Sequence, residues 1–502
     1  MNKLVRVLVF LGALLLVLAV MALLGVRSED RRALQKYQAE SRDKGEKLTF
    51  AELTRGRQTN AVDSHALITN ATPKLSGARL YPGLLDVRKY VAPGHARVTW
   101  RQASPTWIQS AGPASRGAWE EFATQMQSAQ GTVQEIREAL KEPAADAGPC
   151  TDMLVGRRVN FVAIRTAAHW LMGAAENDLH QGRLEAGLQD LEALAWLARM
   201  EKDEPTLVAQ MIRVAVASIG LALTWEALQA PGWTELQLAR LQKAWEPVDL
   251  VEALEKGFLG ERAGGYECFA TVRHSSGPKL GRLIRGGWNW GAPPSKTTFE
   301  DLMMNYLYFP AYKLTSIDAD ELFYLKTMQE MMAAPRLLKA HRPWPEASRA
   351  GLKVNASMNK ICGSPGKVRY LVSLMAIPNF TRAGERAVEA EVERQMTLAA
   401  IALKRYQLRH GKLPSSLEAL VPEFLPTLPY DYMSAKPLCY RLKTDGSYVL
   451  YSVGKDGKDD GGDPRPPPGT PADLWGGRDA VWPSPATGPE EPPRGAGTGG
   501  AP

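Results

Sequence analysis

Two histidines and a glutamate form the strongest candidate for a chemical site in this sequence. His169, Glu176 and His180 are spaced so that, at about 100° per residue, they fall near one face of a helix. Such a trio could ligate a metal ion or share a proton. The alternative is a solvated helix end, because Asn177 and Asp178 are neighbours of the two later members. The sequence offers no catalytic candidate beyond this trio.

Other chemistry is excluded by motif and charge. The sequence has no GxSxG elbow, HExxH helix, Walker loop or dinucleotide-binding glycine fingerprint. Its formal charge of +7 is spread over intermingled basic and acidic residues, so we expect no nucleic-acid partner. The cysteines lack metal-binding spacing, and the sequence leaves open whether they form disulfides or stay buried thiols. They are Cys150, Cys268, Cys362 and Cys439.

A membrane segment is predicted at the N-terminus. The run from Val7 to Val26 has no charged residue, and a helix of that length spans a hydrocarbon core of about 30 Å. The basic Lys3 and Arg6 precede it, which places the bulk of the chain outside the inner (cytoplasmic) membrane after a single pass. A cleaved signal peptide is the competing interpretation, with Val20 and Ala22 as its cleavage pattern. The anchor is favoured because the run exceeds the roughly 7–15 apolar residues of a signal peptide.

The rest of the chain is predicted to be mainly α-helical. After the anchor, 1–27, come a helical stalk, 28–60, and a helical body, 61–386, whose signal is strongest over 150–260. Helices are predicted over 155–180, 184–201, 205–228, 234–257 and 317–334, the last stopped by Pro335, with an irregular, glycine-rich stretch over 264–295.

A small α+β unit is predicted over 387–463. Its long helix stops at Gly411, and two strands, 438–442 and 448–453, form a hairpin across a turn at Asp445 and Gly446. The hairpin must pack on the long helix, because a two-stranded ribbon alone is marginally stable. The Pro- and Gly-rich tail, 464–502, is predicted to be disordered.

One set of residues in this C-terminal unit carries a family resemblance: 399–411, Leu413-Pro414, Leu417, Leu420, Leu428-Pro429, Asp431, Lys436-Pro437, Tyr440, 451–454, Asp456-Gly457 and Gly461-Gly462. With these residues the unit resembles the C-terminal domain of the major pseudopilin of type II secretion systems. The resemblance implies a calcium-binding acidic loop, which would use Asp456, Asp459 and Asp460; the alternative is a solvated acidic turn.

The N-terminus departs from that family, because the apolar run contains no early glutamate, so we expect no processing or polymerisation as a pilin. The whole chain resembles large exported proteins of the planctomycete and verrucomicrobial type. We therefore predict a non-catalytic envelope protein that binds another envelope protein, in a scaffold role linked to secretion or envelope assembly. The alternative is an exported hydrolase that acts on cell-wall or lipid material through the His169 face.

Overall fold

The fold is described from a computed structural model that covers most of the chain. Within the described residues the protein is mainly helical, with short strands in three small sheets. The predicted mainly helical fold class is confirmed. Most of the predicted anchor, Cys150 and the last tail residues, 487–502, lie outside the described residues. Those described are residue 25 and residues 27–54, 64–75, 87–105, 118–141, 160–285, 298–377, 380–470 and 472–486.

The elements are numbered along the chain. The helices are 27–43 (α1), Phe50–Thr54 (α2), Ser64–Ala71 (α3), Ala118–Lys141 (α4), Phe161–His180 (α5), Leu184–Arg199 (α6), Leu207–Leu228 (α7), Glu235–Trp245 (α8), Val251–His274 (α9), Gly277–Arg285 (α10), Phe299–Met303 (α11), Phe309–Thr315 (α12), Ile317–Met331 (α13), Ala333–Lys339 (α14), Trp344–Ala347 (α15), Arg349–Cys362 (α16), Leu371–Ala376 (α17) and Phe380–His410 (α18). A π-helical turn, Met304–Tyr308, joins α11 to α12, and 3-10 turns cover Thr72–Leu75, Thr99–Arg101, Pro365–Arg369 and Leu417–Leu420. The strands are Tyr90–Ala92 (β1), His95–Ala96 (β2), Tyr430–Asp431 (β3), Lys436–Pro437 (β4), Cys439–Leu442 (β5), Tyr448–Ser452 (β6), Ala480–Val481 (β7) and Ser484–Pro485 (β8).

The core is built on α5, α6 and α7, which pack on one another. Local signals set their ends: the Asn160 side chain accepts the Ala163 N–H at 3.0 Å at the start of α5. Gly182 takes a φ of +72° in the turn to α6, a conformation that costs glycine little. The Thr206 side chain caps α7 in the same way. The three helices predicted here are confirmed within the described residues.

Helix α7 is the one described helix that is long and apolar enough to cross a membrane. In the fold, 67% of its most apolar stretch is buried inside the protein, against α5, α6 and α18. Its hydrophobicity is therefore accounted for by the core.

The single helix predicted over 234–257 is two helices, α8 and α9, and α9 continues beyond Gly257 into the stretch predicted to be irregular. Its glycines lie where other elements approach too closely for a side chain. A Cβ on Gly260 would be 1.2 Å from the carbonyl oxygen of Pro205, and one on Gly265 would be 2.1 Å from the Tyr324 ring. The glycines thus permit close packing of a continuous helix. The prediction of an irregular stretch was wrong for residues 264–285, which lie largely in α9 and α10, and residues 286–295 lie outside the described residues.

Pro335 does not end a helix either. The helix predicted over 317–334 ends at Met331 in the structure, and Pro335 lies in the first turn of the next helix, α14. A proline is tolerated there because the first backbone N–H groups of a helix have no partner within the helix.

The predicted stalk lies against the helical body. In α1, Gln38 donates to the Glu321 carboxylate of α13 at 2.8 Å. Beyond it, Leu48 and Phe50 are buried, at 1% and 0% exposure. The Glu46 carboxylate accepts hydrogen bonds from Arg262 and Arg336, each at 2.8 Å. The described part of 28–60 is therefore packed on the body.

Helix α18 belongs to the same core. Its stripe includes Val388, Val392, Ala399 and Leu403, all at 0% exposure, and the helix packs on α7 and α8 as well as on β3 and β6. The hydrophobic cluster runs without a break from the helical body into the hairpin region. A truncation at residue 387 would therefore open the core of the body.

The beginning of the tail is folded, so the prediction of disorder from residue 464 was wrong for residues 464–470 and 472–486. Strand β7 adds to the β5–β6 hairpin, and β8 pairs in parallel with β2. Leu474 and Trp482 are buried, at 4% and 8% exposure, and the Trp225 indole donates to the Pro483 carbonyl at 2.8 Å. These few apolar side chains find a preformed surface, which composition alone does not reveal.

Candidate functional site

The structure separates the members of the predicted histidine–glutamate trio into different environments. His169 is 8% exposed, and burial together with the nearby Arg165 charge lowers the pKa of its imidazole to about 4. His180 is exposed, stacks on Trp119 with ring centroids 4.0 Å apart, and its Nδ1 lies 2.8 Å from the Trp100 carbonyl oxygen. Among the described residues, no three His, Cys, Asp or Glu side chains form a group that could hold a metal ion. The hydrolase hypothesis stays a prediction.

Glu176 instead pairs with a residue that the sequence analysis missed. It lies beside Glu226 of α7, and both side chains are 0% exposed. Burial raises the pKa of both carboxyl groups, and the proximity of the second carboxylate raises that of Glu176 further. Among the described residues, the oxygens of Glu176 have no hydrogen-bonding partner besides Glu226, so the contact between the two groups requires a proton on one of them.

The hydrogen bonds around the pair indicate where that proton lies. The Glu226 carboxylate accepts the N–H groups of Arg88 at 2.8 Å and Thr99 at 2.7 Å, and the Thr99 hydroxyl at 3.0 Å. Three donors stabilise the ionised form of Glu226. Glu176 is therefore the protonated member and donates to Glu226. The pair shares one proton in a low-dielectric interior, as two adjacent carboxyl groups must.

The segment 87–105 closes this site from solvent. Besides the contacts of Arg88 and Thr99, the Trp100 indole donates to the Glu226 backbone carbonyl at 3.1 Å. The Arg88 guanidinium also forms an ion pair with Glu393 of α18. Glu226 of the pair and Glu393 thus fasten segment 87–105 onto α7 and α18. The carboxyl pair can take up or release a proton, but both of its side chains are 0% exposed.

A cleft of about 370 Å³ lies on another part of the body and is lined by charged residues, including Lys256 and Asp203, which form an ion pair with each other. Burial alone would raise the pKa of Glu46 in this cleft, but hydrogen bonds from Arg336, Gln329 and Arg262 outweigh it and lower the pKa to about 2. The hydrogen bonds to Glu46 attach the predicted stalk to the body.

The predicted calcium loop is organised by hydrogen bonds within the chain. Asp456 accepts the Lys458 N–H at 3.1 Å, and Asp459 accepts the Gly461 N–H at 2.9 Å. The fold brings Asp479, from the segment before β7, to the same loop, where its carboxylate accepts three backbone N–H groups. Those donors are Asp460, Gly462 and Asp463, at 3.3, 2.7 and 3.0 Å. Calcium binding by Asp456, Asp459 and Asp460 remains a prediction.

The surface carries a second feature that the sequence analysis missed. Apolar side chains are exposed along one face of α11, the π-helical turn and α12, and we call this face the 299–314 surface. No residue from 302 to 312 is charged, a signal that was present in the sequence. The exposed side chains are Phe299, Leu302, Met303, Met304, Tyr306, Leu307 and Leu314.

A signal for Glu226 was also present, because it is an acidic residue near the end of the long apolar helix α7. A buried carboxylate in such a helix requires a partner.

Comparison of the chain with family models, with curated proteins and with solved structures finds no significant match.

Proposed function

We propose that this chain is a non-catalytic, membrane-anchored envelope protein that acts by binding. In this proposal residues 7–26 hold the chain in the cytoplasmic membrane, and the helical body lies outside it as a scaffold for secretion or envelope assembly. The proposal includes an envelope protein as partner and the pseudopilin-like character of residues 387–463.

The observation that carries the proposal is the 299–314 surface. Phe299 is 76% exposed, Tyr306 66% and Leu307 62%. Soluble proteins rarely leave a continuous apolar patch in contact with water, and a larger one marks a site of interaction with a protein, a membrane or a ligand. The same chain keeps the carboxyl pair Glu176 and Glu226, whose pKa values burial raises, closed to solvent. This contrast favours binding over turnover.

The anchor can be tested by alkaline carbonate extraction of membranes that contain the full-length chain. We expect the wild type to stay in the membrane pellet and the double substitution Leu15→Arg/Val17→Arg to be lost from it. Each arginine at the centre of a span costs about 2.5–3.5 kcal/mol on insertion scales.

A matched control places the same two arginines on exposed leucines of the body, as Leu408→Arg/Leu442→Arg; the exposures are 48% and 39%. This variant should remain in the pellet. Release of the wild type by carbonate, or a mature chain that begins just after Ala22, would contradict the proposed anchor and support a cleaved signal peptide.

A further inference from the structure

The 299–314 surface is the outer face of a helical segment whose inner face is firmly packed. Asn305, Phe309 and Tyr312 point into the protein, with exposures of 6%, 2% and 2%. Tyr306 and Leu307 lie on the opposite side. The π-helical turn at Met304–Tyr308 lies in the middle of the segment, and such turns are frequent at functional sites. The segment is therefore buried on its inner side, while its apolar outer face is open to solvent.

Two contacts connect this surface to the start of the described chain. The Tyr308 hydroxyl donates to the Val368 carbonyl at 2.7 Å, and Val368 itself is 55% exposed. The adjacent Arg369 forms an ion pair with Asp30 of α1 at 2.5 Å. Asp30 follows the predicted span by four residues, a distance of about 6 Å along a helix. The 3-10 turn Pro365–Arg369 thus places the surface beside the point where the chain would leave a membrane.

The packing of α1 on the body keeps the 299–314 surface near the predicted membrane span. Since α1 and the residues after it lie against α9 and α13, no flexible spacer separates the body from the predicted span within the described residues 27–54. A body attached so directly has one end close to the bilayer, and the 299–314 surface is at that end.

Exposed cations also lie near this end. Arg31 and Arg32 of α1 are exposed, as is Lys367 on the 3-10 turn, and the exposed acidic residues nearby are Glu29 and Glu300. Basic residues next to an apolar face are attracted by anionic lipid headgroups. Tyrosine also suits the interface, because its ring is apolar and its hydroxyl is polar.

We propose that the 299–314 surface dips into the headgroup–acyl boundary of the same bilayer that holds residues 7–26. Phe299, Tyr306 and Leu307 then enter the lipid, and the body is fixed in one orientation on the membrane. The inference rests on the proposed function, because that function depends on the 299–314 surface. The inference names the lipid bilayer as what this surface contacts.

Photolabelling from the lipid tests this inference on the unmodified chain. The full-length protein is reconstituted in vesicles of phosphatidylethanolamine and phosphatidylglycerol that contain a lipid with a diazirine on its acyl chain, and adducts are mapped by mass spectrometry. We expect adducts within 7–26 and within 299–314, and none in the β5–β6 hairpin. The variant Tyr306→Glu/Leu307→Glu should reduce adducts in 299–314 at least tenfold without changing those in 7–26.

The variant Leu408→Glu/Leu442→Glu is the control and should leave both sets of adducts unchanged. Adducts in 7–26 without any in 299–314 would overturn the membrane contact and leave the anchor intact. Adducts in neither region would overturn the anchor and the contact together.

Discussion

Replacing Glu176 by glutamine should make the protein more stable than the wild type at alkaline pH, with an advantage that grows as the pH rises. In the folded wild type, Glu176 keeps its proton because burial and the neighbouring Glu226 raise its pKa. In the unfolded chain the same group ionises near its ordinary value of 4.5. The folded state then binds more protons than the unfolded state, and stability falls as the pH rises.

The size of the effect follows from this linkage. Between pH 4.5 and the raised pKa of the folded pair, each pH unit costs the wild type about 1.4 kcal/mol for one retained proton. A glutamine at position 176 donates its amide N–H to the Glu226 carboxylate without needing a proton. The variant therefore escapes the cost, and its difference from the wild type should be smallest near pH 5.

Urea unfolding of the full-length chain in detergent micelles, from pH 5 to pH 9, measures this difference. Other buried carboxyl groups, such as Asp190 and Asp320, also have a raised pKa and contribute to the wild-type profile. The comparison between the two proteins isolates Glu176. The exposed Glu120 of α4 provides a control, since Glu120→Gln should give a profile parallel to that of the wild type. Parallel profiles for Glu176→Gln as well would refute the shared proton.

Alanine at Gly260 should destabilise the protein by about 3 kcal/mol or more, beyond the usual cost of an extra methyl group in a packed core. The added Cβ would lie 1.2 Å from the Pro205 carbonyl oxygen and 2.3 Å from its carbonyl carbon. Both are backbone atoms, so no side-chain rotation relieves the clash, and α9 must move away from the turn that leads into α7.

Gly131→Ala is the matched control, because Gly131 also lies inside a long helix, α4, and the position that an alanine Cβ would take there is surrounded by open space. Alanine there should stabilise the protein by about 0.5–1 kcal/mol, the ordinary difference between the two residues in a helix interior. Thermal and urea unfolding of both variants provide the measurement. An equal stabilisation by Gly260→Ala would show that α9 does not approach Pro205 so closely.

Local sequence signals predicted the central helices of the body. The apolar periodicity located α5, α6 and α7, and Thr234 begins α8 with the capping box that its spacing to Gln237 allows. These features depend on residues three or four positions apart, so they can be recognised without knowledge of the rest of the chain. The end of α18 at Gly411, whose φ is +71°, is of the same kind.

Only one member of the carboxyl pair could be predicted from the sequence. Glu176 stood out because of its spacing to the two histidines, yet its partner Glu226 is 50 residues away, on another helix. Nothing in the local pattern of either helix specifies that they meet. The N–H groups of Arg88 and Thr99 determine which carboxyl group holds the proton. They come from a third segment, in which the sequence shows little hydrophobic periodicity.

By itself, therefore, the sequence determined the mainly helical character of this protein, the position of its principal helices and an uncharged stretch over 302–312. The tertiary structure alone decided that the glycines of α9 serve close packing, that residues 472–486 complete two sheets, and that Glu176 faces Glu226. The physical reason is the distance along the sequence over which each kind of interaction acts. Helix periodicity and caps act between near neighbours, whereas burial, pKa and exposure depend on which distant segments come into contact.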